Sequence, residues 1–414
     1  VLHVAPSVAR SYGGPTQSLV GFALAARTAG AEVEVAAPRC DTADEAWLGE
    51  RMPGVPLHLF GSAGRGGFVF SPGLGRFLRA NGARFDAVHV HGLLNPVSSA
   101  AARTCIRRGW PVVIRPFGTL SRYTFEHRRG GLKRAYFRWM DGPNVCHAGG
   151  VHFTTAEERD EAGWHGIDLS SRGHVIPPPW TGARASGSAS TDSVSAGSAS
   201  PESSSVAVSA DGNGKGGGRN ALFLSRLHPV KNLEALLDAW PSVLRALPDA
   251  TLTVAGSGDE AYAAGLRGRA HALGIAPSVR WTGFVSGDEK ARLLASADLF
   301  VLPSHHENFG FAVLEALASG LPAVVSPRVQ LAEFVSEHRL GLVAETDGGG
   351  AALADAIVRA MGDGALRDRC RAHGADAVRA AFAPLEIGRR LAEMYRAAGA
   401  AMNSSTSHNA STGR

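Results

Sequence analysis

The stretch LFVLPSHHENFGFAVLEALASGLPAVVS, Leu299 to Ser326, reads as strand, loop, helix and strand, and its reading decides the fold. Leu299 to Leu302 is a short apolar run that ends in a loop carrying His305, His306 and Glu307. A helix is expected over Gly310 to Ser319, closed by Gly320 and Pro322, with the next strand at Ala323 to Ser326. A helix joining two such strands is a crossover unit, so the sheet is parallel and the class is α/β. Ligands of an open parallel sheet bind beyond the carboxyl ends of its strands, where this loop lies.

The same alternation extends in both directions. Upstream it gives strands at Ala221 to Leu224, Ala250 to Ala255 and Val279 to Thr282, with helices at Lys231 to Leu247, Ala261 to Leu273 and Gly287 to Ser296. A second series fills residues 1–180, with strands at Val1 to Ala5, Val33 to Ala37, Ala87 to His91, Val112 to Arg115 and Gly150 to Thr154. Its helices are expected at Ser18 to Ala29 and Gly131 to Met140. Between the two series, residues 181–220 are rich in Ser and Gly and poor in large apolar side chains, which predicts a disordered linker. The expected organisation is an N-terminal domain over 1–180, the linker, a C-terminal domain over 221–385, a last amphipathic helix over 386–400 and a disordered tail over 401–414.

The 414 residues exceed what one core usually supports, and 44% hydrophobic with 19% charged residues describes a globular protein. The formal charge of +5 suits phosphate ligands or an anionic membrane surface. No helix-turn-helix, zinc-finger or RNA-recognition signature accompanies it, so nucleic acid is not an expected partner. Cys40, Cys105, Cys146 and Cys370 are scattered, which reads as reduced thiols in the cytoplasm. No apolar run reaches the roughly 18 residues of a spanning helix, and Val1 opens without a charged signal-peptide head.

Four segments carry chemistry. In the helix after His305, the first turn near Asn308, Phe309, Gly310 and Phe311 offers free backbone N–H groups and the positive end of the helix dipole to phosphate or sugar oxygens. Glu315 sits on that largely apolar helix, where a carboxylate is costly unless paired or hydrogen-bonded, and Glu307 precedes it by eight positions. Taken alone, the pair is equally well a helix-terminal acid and a surface glutamate. SRLHPVKN, Ser225 to Asn232, puts Arg226 and Lys231 at a strand end, where fixed cations can compensate a diphosphate leaving group. VAGSGDE, Val254 to Glu260, brings Gly256 and Gly258 to a tight turn. Ala261 breaks the dinucleotide fingerprint, which leaves a nicotinamide dehydrogenase weakly supported. GFVSGDE, Gly283 to Glu289, is another turn that can offer backbone hydrogen bonds to a base.

In this order and spacing the four segments resemble the retaining glycosyltransferases of family 4, which have the GT-B fold: two facing Rossmann-like domains and a C-terminal helix packing back toward the N-terminal one. The resemblance is close over 221–345 and looser over 1–180. It implies that Arg226 and Lys231 bind the donor diphosphate, Glu307 the donor sugar and Glu315 the ribose. It further implies that Asn308, Phe309, Gly310 and Phe311 meet sugar and phosphate oxygens, that the turn at Phe284 and Val285 meets the base, and that Gly256 lines the donor site. In the N-terminal half, SYGGPTQSL, Ser11 to Leu19, looks like the family's glycine-rich loop, with Gly13 and Gly14 approaching the phosphates.

The family often places a histidine after the strand Val112 to Arg115, where this chain has RPFGTL with Phe117. That leaves Arg115, Thr119, His89 and His91 as acceptor-side candidates, with His91 taken as the catalytic one. HVHG is not expected to hold a metal, on the reading that its two histidines leave the strand on opposite faces and no further ligand is in view. No Asp-x-Asp occurs, so no metal cofactor is expected.

The expected function is a retaining, metal-independent glycosyltransferase acting on a nucleoside-diphosphate sugar and a glycan or lipid-linked acceptor, in polysaccharide or glycoconjugate biosynthesis. The expected place is cytoplasmic, with peripheral contact at the inner membrane face through the basic, aromatic stretch 121–140. The alternatives are a sugar-nucleotide epimerase of the same fold and a non-catalytic sugar-nucleotide-binding protein.

Overall fold

The computed structural model describes residues 1–65, 68–126, 129–182, 219–307, 309–347 and 350–411. Most of the expected linker, residues 183–218, therefore lies outside the described residues, as does Asn308. In chain order the N-terminal strands are β1 (Leu2–Val4), β2 (Glu34–Pro38), β3 (Leu57–Phe60), β4 (Ala63–Arg65), β5 (Phe68–Phe70), β6 (Val88–His91), β7 (Val112–Arg115), β8 (Gly150–Phe153) and β9 (Gly173–Val175). Seven of them form a parallel sheet in the order β3-β2-β1-β6-β7-β8-β9, and β4 and β5 make a separate antiparallel hairpin. The C-terminal strands are β10 (Arg219–Leu224), β11 (Ala250–Ala255), β12 (Val279–Gly283), β13 (Leu299–Leu302), β14 (Ala323–Val325) and β15 (Gly341–Val343). They make a second parallel sheet in the order β12-β11-β10-β13-β14-β15.

Both sheets reverse direction of winding once, between β1 and β6 and between β10 and β13. Loops leaving the strand ends on either side of such a point part to opposite faces and open a crevice. The loops at these two places are the glycine-rich segment after β1, the SRLHPVKN turn after β10 and the HHENFG loop after β13. The topology thus collects the segments that the sequence singled out.

The two faces of the N-terminal sheet differ. One is wholly apolar, with Leu2, Val4, Val88, Val90, Val112, Ile114, Val151 and Phe153 buried under flanking helices. The other carries His3, His89, His91, Arg115 and His152, all buried beneath the helices Gly14–Thr28 and Pro384–Ser411. The last helix belongs to this domain in packing though it follows the other in sequence. Ile387, Leu391, Met394, Tyr395 and Ala398 recur at helical spacing and bury against Leu19, Phe22, Ala25 and Ala26.

That helix extends through Ser411, beyond the expected end at 400, so the reading of 401–414 as a disordered tail is corrected for 401–411. Ala400 and Ala401 are strong helix formers, and Met402, one turn beyond Ala398, adds a buried contact to the same stripe. The Ser404 hydroxyl donates back to the carbonyls of Ala400 and Ala401.

In the C-terminal domain a close backbone approach sets the shape of the crevice. A Cβ on Gly256, whose φ is +147°, would stand 1.8 Å from the carbonyl oxygen of Ser225, and one on Gly258 would stand 2.0 Å from that of Leu227. Only glycine lets the turn after β11 lie against the turn after β10. Gly256→Ala should therefore destabilise by about 3 kcal/mol or more, combining a steric clash with a φ that alanine avoids. Gly265→Ala, in the helix Glu260–Ala272 with nothing within 4 Å of the added methyl, should stabilise by about 0.5–1 kcal/mol. Urea unfolding of the two variants beside the parent checks both, and a Gly256→Ala loss under about 1 kcal/mol would contradict the close-packed turn.

Candidate functional site

The crevice of the C-terminal domain holds two carboxylate–lysine pairs. Lys231 ends a short turn of 3-10 helix at Pro229–Lys231, held in place by the His305 N–H donating to the Val230 carbonyl at 2.8 Å. Its ammonium forms a short ion pair with Glu307, both side chains being largely buried. Glu307 is itself fixed by a bridge to Val329. One turn into the helix Phe311–Ala318, Glu315 pairs with the Lys290 ammonium at 2.6 Å, from the helix Gly287–Ser296. Each acid that seemed costly in the sequence has a cationic partner, which removes most of the penalty of partial burial.

The residues between the acids form a helix start. Gly310, φ +91°, precedes Phe311, and as first-turn groups the amides of Phe311 and Ala312 donate to no partner among the described residues. They point their dipole ends toward the same crevice as Lys231 and Arg226. Arg226 is exposed and has no side-chain partner among the described residues, so it is a free cation at the mouth. Phe309 is buried, packing on Phe311 and Phe382, so only its backbone faces a ligand.

The other site candidates fall in different places. Val285 is buried and Phe284 is 73% exposed, so the turn can present a ring face or backbone groups but not a valine side chain. Gly256 is at the crevice floor, and the close approach it permits is to the Ser225 backbone. The Gly13–Gly14 turn reaches across from the N-terminal domain: a Cβ on Gly14 would lie 3.8 Å from the Phe311 ring. A second contact between the domains is the Gln330 amide donating to Glu157 at 2.6 Å. The glycine-rich loop therefore faces the helix start directly.

Two readings of the acceptor side are corrected. His91 is buried, its Nε2 hydrogen-bonded to His3 Nδ1 at 2.9 Å, and it does not open to the crevice as a catalytic group would. His89 and His91 do not leave the strand on opposite faces. Strand side chains alternate with period two, so residues two apart share a face, and the rings stack with centroids 4.2 Å apart.

The row they belong to has a defined proton order. His152 Nε2 faces the Ile176 carbonyl at 2.8 Å and must donate, so its Nδ1 accepts from His89 Nε2 at 3.2 Å. That leaves His89 Nδ1 to accept the Tyr395 hydroxyl at 3.0 Å. The ring nitrogens of His3, His89 and His91 lie within 4.8 Å of one another. Both His89 nitrogens are spoken for, however, and the neighbouring Arg115 guanidinium repels a cation. The hydrogen-bonded row accounts for the geometry of His89 and His152.

Arg115 is buried between the rings of Phe22 and Phe117, donates to the Thr154 hydroxyl at 3.0 Å, and has its pKa lowered by burial to about 9. Phe117 lies in a left-handed conformation, φ +58°, over that guanidinium. The residue that departs from the family's pattern thus covers an arginine. Thr119 is tied to the Pro116 carbonyl.

Lys290 was not singled out from the sequence. The signal was its position in GFVSGDEK, in the first turn of the helix that follows the turn assigned to the base.

Residues 13–179 match the glycosyl transferase 4-like domain, and residues 209–376 match the glycosyl transferases group 1. The chain belongs to the group 1 glycosyl transferases. Among curated members of the family, a phosphatidyl-myo-inositol mannosyltransferase of Mycobacterium leprae is 36% identical over 164 residues, which cover 39% of this chain and 42% of that protein. An alpha-monoglucosyldiacylglycerol synthase of Streptococcus pneumoniae is 35% identical over 125 residues, 30% of this chain and 28% of that one. The chain thus spans less than half the length of these curated relatives. Among solved structures, Anabaena HepE in complex with UDP and glucose superposes with a TM-score of 0.69 at 17% identity, covering 95% of this chain and 98% of that one. WaaG, a glycosyltransferase involved in lipopolysaccharide biosynthesis, gives 0.61 at 14% identity, covering 95% and 99%. These likenesses establish the GT-B fold.

The histidine row makes stability depend on pH. Burial lowers the pKa of His3 to about 3 and holds His89, His91 and His152 well below their ordinary value. Unfolded, the same imidazoles titrate near 6.5, so below that pH the unfolded chain binds more protons and stability falls as pH falls. Between pH 6.5 and 5 the loss should approach about 1.4 kcal/mol per pH unit for each fully protected ring. Urea midpoints at pH 7.5, 6 and 5 test this. A flat profile would mean that the rings titrate as they do in water.

Proposed function

We propose that the chain transfers a glycosyl group from a nucleoside-diphosphate sugar to an acceptor hydroxyl, retaining the anomeric configuration and using no metal ion. The observation that carries this reading is the pairing of Glu307 with Lys231 and of Glu315 with Lys290, on either side of an open helix start. A donor in that crevice exchanges contacts with preset charges. Its diphosphate meets Lys231, Arg226 and the Phe311 and Ala312 amides, and its hydroxyls donate to the two carboxylates.

In the reaction the bond from C1 of the sugar to the diphosphate oxygen breaks, and its electron pair leaves with the diphosphate. The acceptor oxygen bonds to C1 on the same face. Its proton passes to an oxygen of the departing diphosphate, a base within reach at a place where His91 is buried. The Gly13–Gly14 turn closes over the phosphates from the other domain. The lipid-directed names of the two curated relatives support a lipid-linked acceptor as the first class to try.

Transfer should persist unchanged in EDTA, and activity lost there and restored by magnesium or manganese would contradict the metal-free reading. Lys231→Ala should lower kcat/KM by about 10²–10³, because the diphosphate loses a cation that it needs most as the bond breaks. Formation of an altered nucleotide sugar without acceptor would instead favour an epimerase.

Lys290 makes a sharper test of the ribose assignment. If it holds Glu315 for the ribose, the parent should bind a ribonucleoside diphosphate about tenfold or more tighter than its 2′,3′-dideoxy analogue, by one charged hydrogen-bond's worth. Lys290→Ala should shrink that ratio severalfold. Calorimetric Kd values for the four combinations decide it, and an unchanged ratio would show that Lys290 does not position the acid.

A further inference from the structure

The N-terminal sheet is parallel in the order β3-β2-β1-β6-β7-β8-β9, so the turns that follow its strands all leave from one edge. Two of these turns touch the C-terminal domain. One is the glycine-rich turn after β1, at the Phe311 ring, and the other begins the helix Ala156–Ala162 after β8, where Glu157 accepts from the Gln330 side chain. Strands β6 and β7 lie between β1 and β8, so the turns after them are enclosed between those contacts and face the crevice.

The turn after β7, residues 116–120, is bound to the same helix. Glu158 accepts from the Gly118 N–H at 2.5 Å and, with its other oxygen, from the Thr154 N–H at 2.7 Å. Its neighbour Glu157 reaches Gln330, whose backbone N–H donates to the Glu307 carbonyl at 3.4 Å. That chain of bonds sets the turn across the crevice from Glu307.

At its tip the turn holds Phe117 against backbone preference. The φ angle is +58° at Phe117 and +70° at Gly118, and a bulky ring is rare in that region, where glycine or asparagine fits at lower cost. One face of the ring lies over the Arg115 guanidinium, 4.1 Å from the ring centre. Among the described residues its other aromatic neighbour is His91, at 5.8 Å. Both belong to the sheet and Phe117 is only half-buried, so the uncovered part of its ring is turned away from the sheet, toward the crevice.

An asparagine would close this turn with less strain. What phenylalanine adds is an aromatic surface opposite a carboxylate. A sugar has hydroxyls around its edge and C–H groups on its faces, and Glu307 suits the first as Phe117 suits the second. A hydroxyl turned onto Phe117 would leave water without gaining a partner, which is costly. The group at C6 projects farthest from a hexose ring, so it is the one that first meets an opposite wall.

We propose that Phe117 is a specificity-determining residue for the transferred sugar, an apolar platform that favours 6-deoxyhexoses, whose methyl group replaces the hydroxymethyl. This rests on the donor reading above. The two fail differently, because Phe117 acts on the sugar and not on the nucleotide.

The test is calorimetry on the full chain. The diphosphates of uridine, guanosine, adenosine, thymidine and cytidine are tried first. The base that binds is then carried forward as its glucose and 6-deoxyglucose conjugates and its mannose and 6-deoxymannose conjugates. In at least one pair the parent should bind the deoxy sugar about threefold or more tighter, the hydroxylated partner being left with an unmade hydrogen bond. Phe117→Asn suits the left-handed backbone and removes the ring, so it should abolish or reverse that preference while the Kd of the nucleoside diphosphate stays as in the parent. Phe117→Tyr, which keeps the ring, should retain the preference. Equal binding of the partners in both pairs by the parent, or tighter binding of the hydroxylated ones, overturns the proposal. So does a preference that survives in Phe117→Asn, or a variant in which nucleotide and sugar binding fall together, as a merely structural role would have it. A parent that binds none of the diphosphates sinks the donor reading, and the platform with it.

Discussion

The backbone of the last helix lies directly on that of the first, with Gly388 at the crossing, where a Cβ would come 2.0 Å from the Ala25 carbonyl oxygen. Gly149 permits a second close approach, to Ala398. Much follows from this contact. It buries the polar face of the N-terminal sheet, including the four histidines, under two helices rather than one. It also fixes the helix Gly14–Thr28, whose first residues form the turn that faces Phe311, so the packing of the chain's end determines where the glycine-rich loop meets the crevice.

Electrostatics shapes the opposite wall. On the proposed reading Glu307 and Glu315 accept from sugar and ribose hydroxyls, and both flank a segment otherwise built from apolar side chains. Lys231 and Lys290 pair with them and orient them before any ligand arrives, and the groups come from four separate elements brought together at one reversal of strand order. Preorganisation of this kind lowers the reorganisation that a charged ligand must drive.

Much of this was legible in the sequence. The alternation of apolar runs and helical spacing placed both sheets. Arg226, Lys231 and Glu307 were marked by their position at strand ends, and Glu315 as a carboxylate on a largely apolar helix. The misses have physical reasons. The strands Leu57–Phe60 and Gly173–Val175 are edge strands, half-buried and short, with little apolar contrast. The hairpin residues Phe68 and Phe70 are exposed and follow no burial pattern. His91 was mistaken for a crevice residue because a strand's alternation tells which residues share a face but not what covers that face. Here the cover is the helix Gly14–Thr28 together with the last helix, whose Tyr395 meets His89 from 306 residues away. Lys290 was missed for a related reason, since its meaning lies in Glu315, a partner from another helix.

The last helix changes how the protein divides. In sequence it trails the C-terminal domain, yet its buried side chains complete the N-terminal core and its Tyr395 hydroxyl donates into the histidine row. The natural seam for exchanging halves between relatives is therefore not the linker alone. A chimera joined only at the linker would carry a foreign helix onto the histidine face, with its tyrosine and its glycine crossing mismatched. A transplant of the donor half must leave residues from Pro384 onward with the recipient, a two-cut graft in place of one.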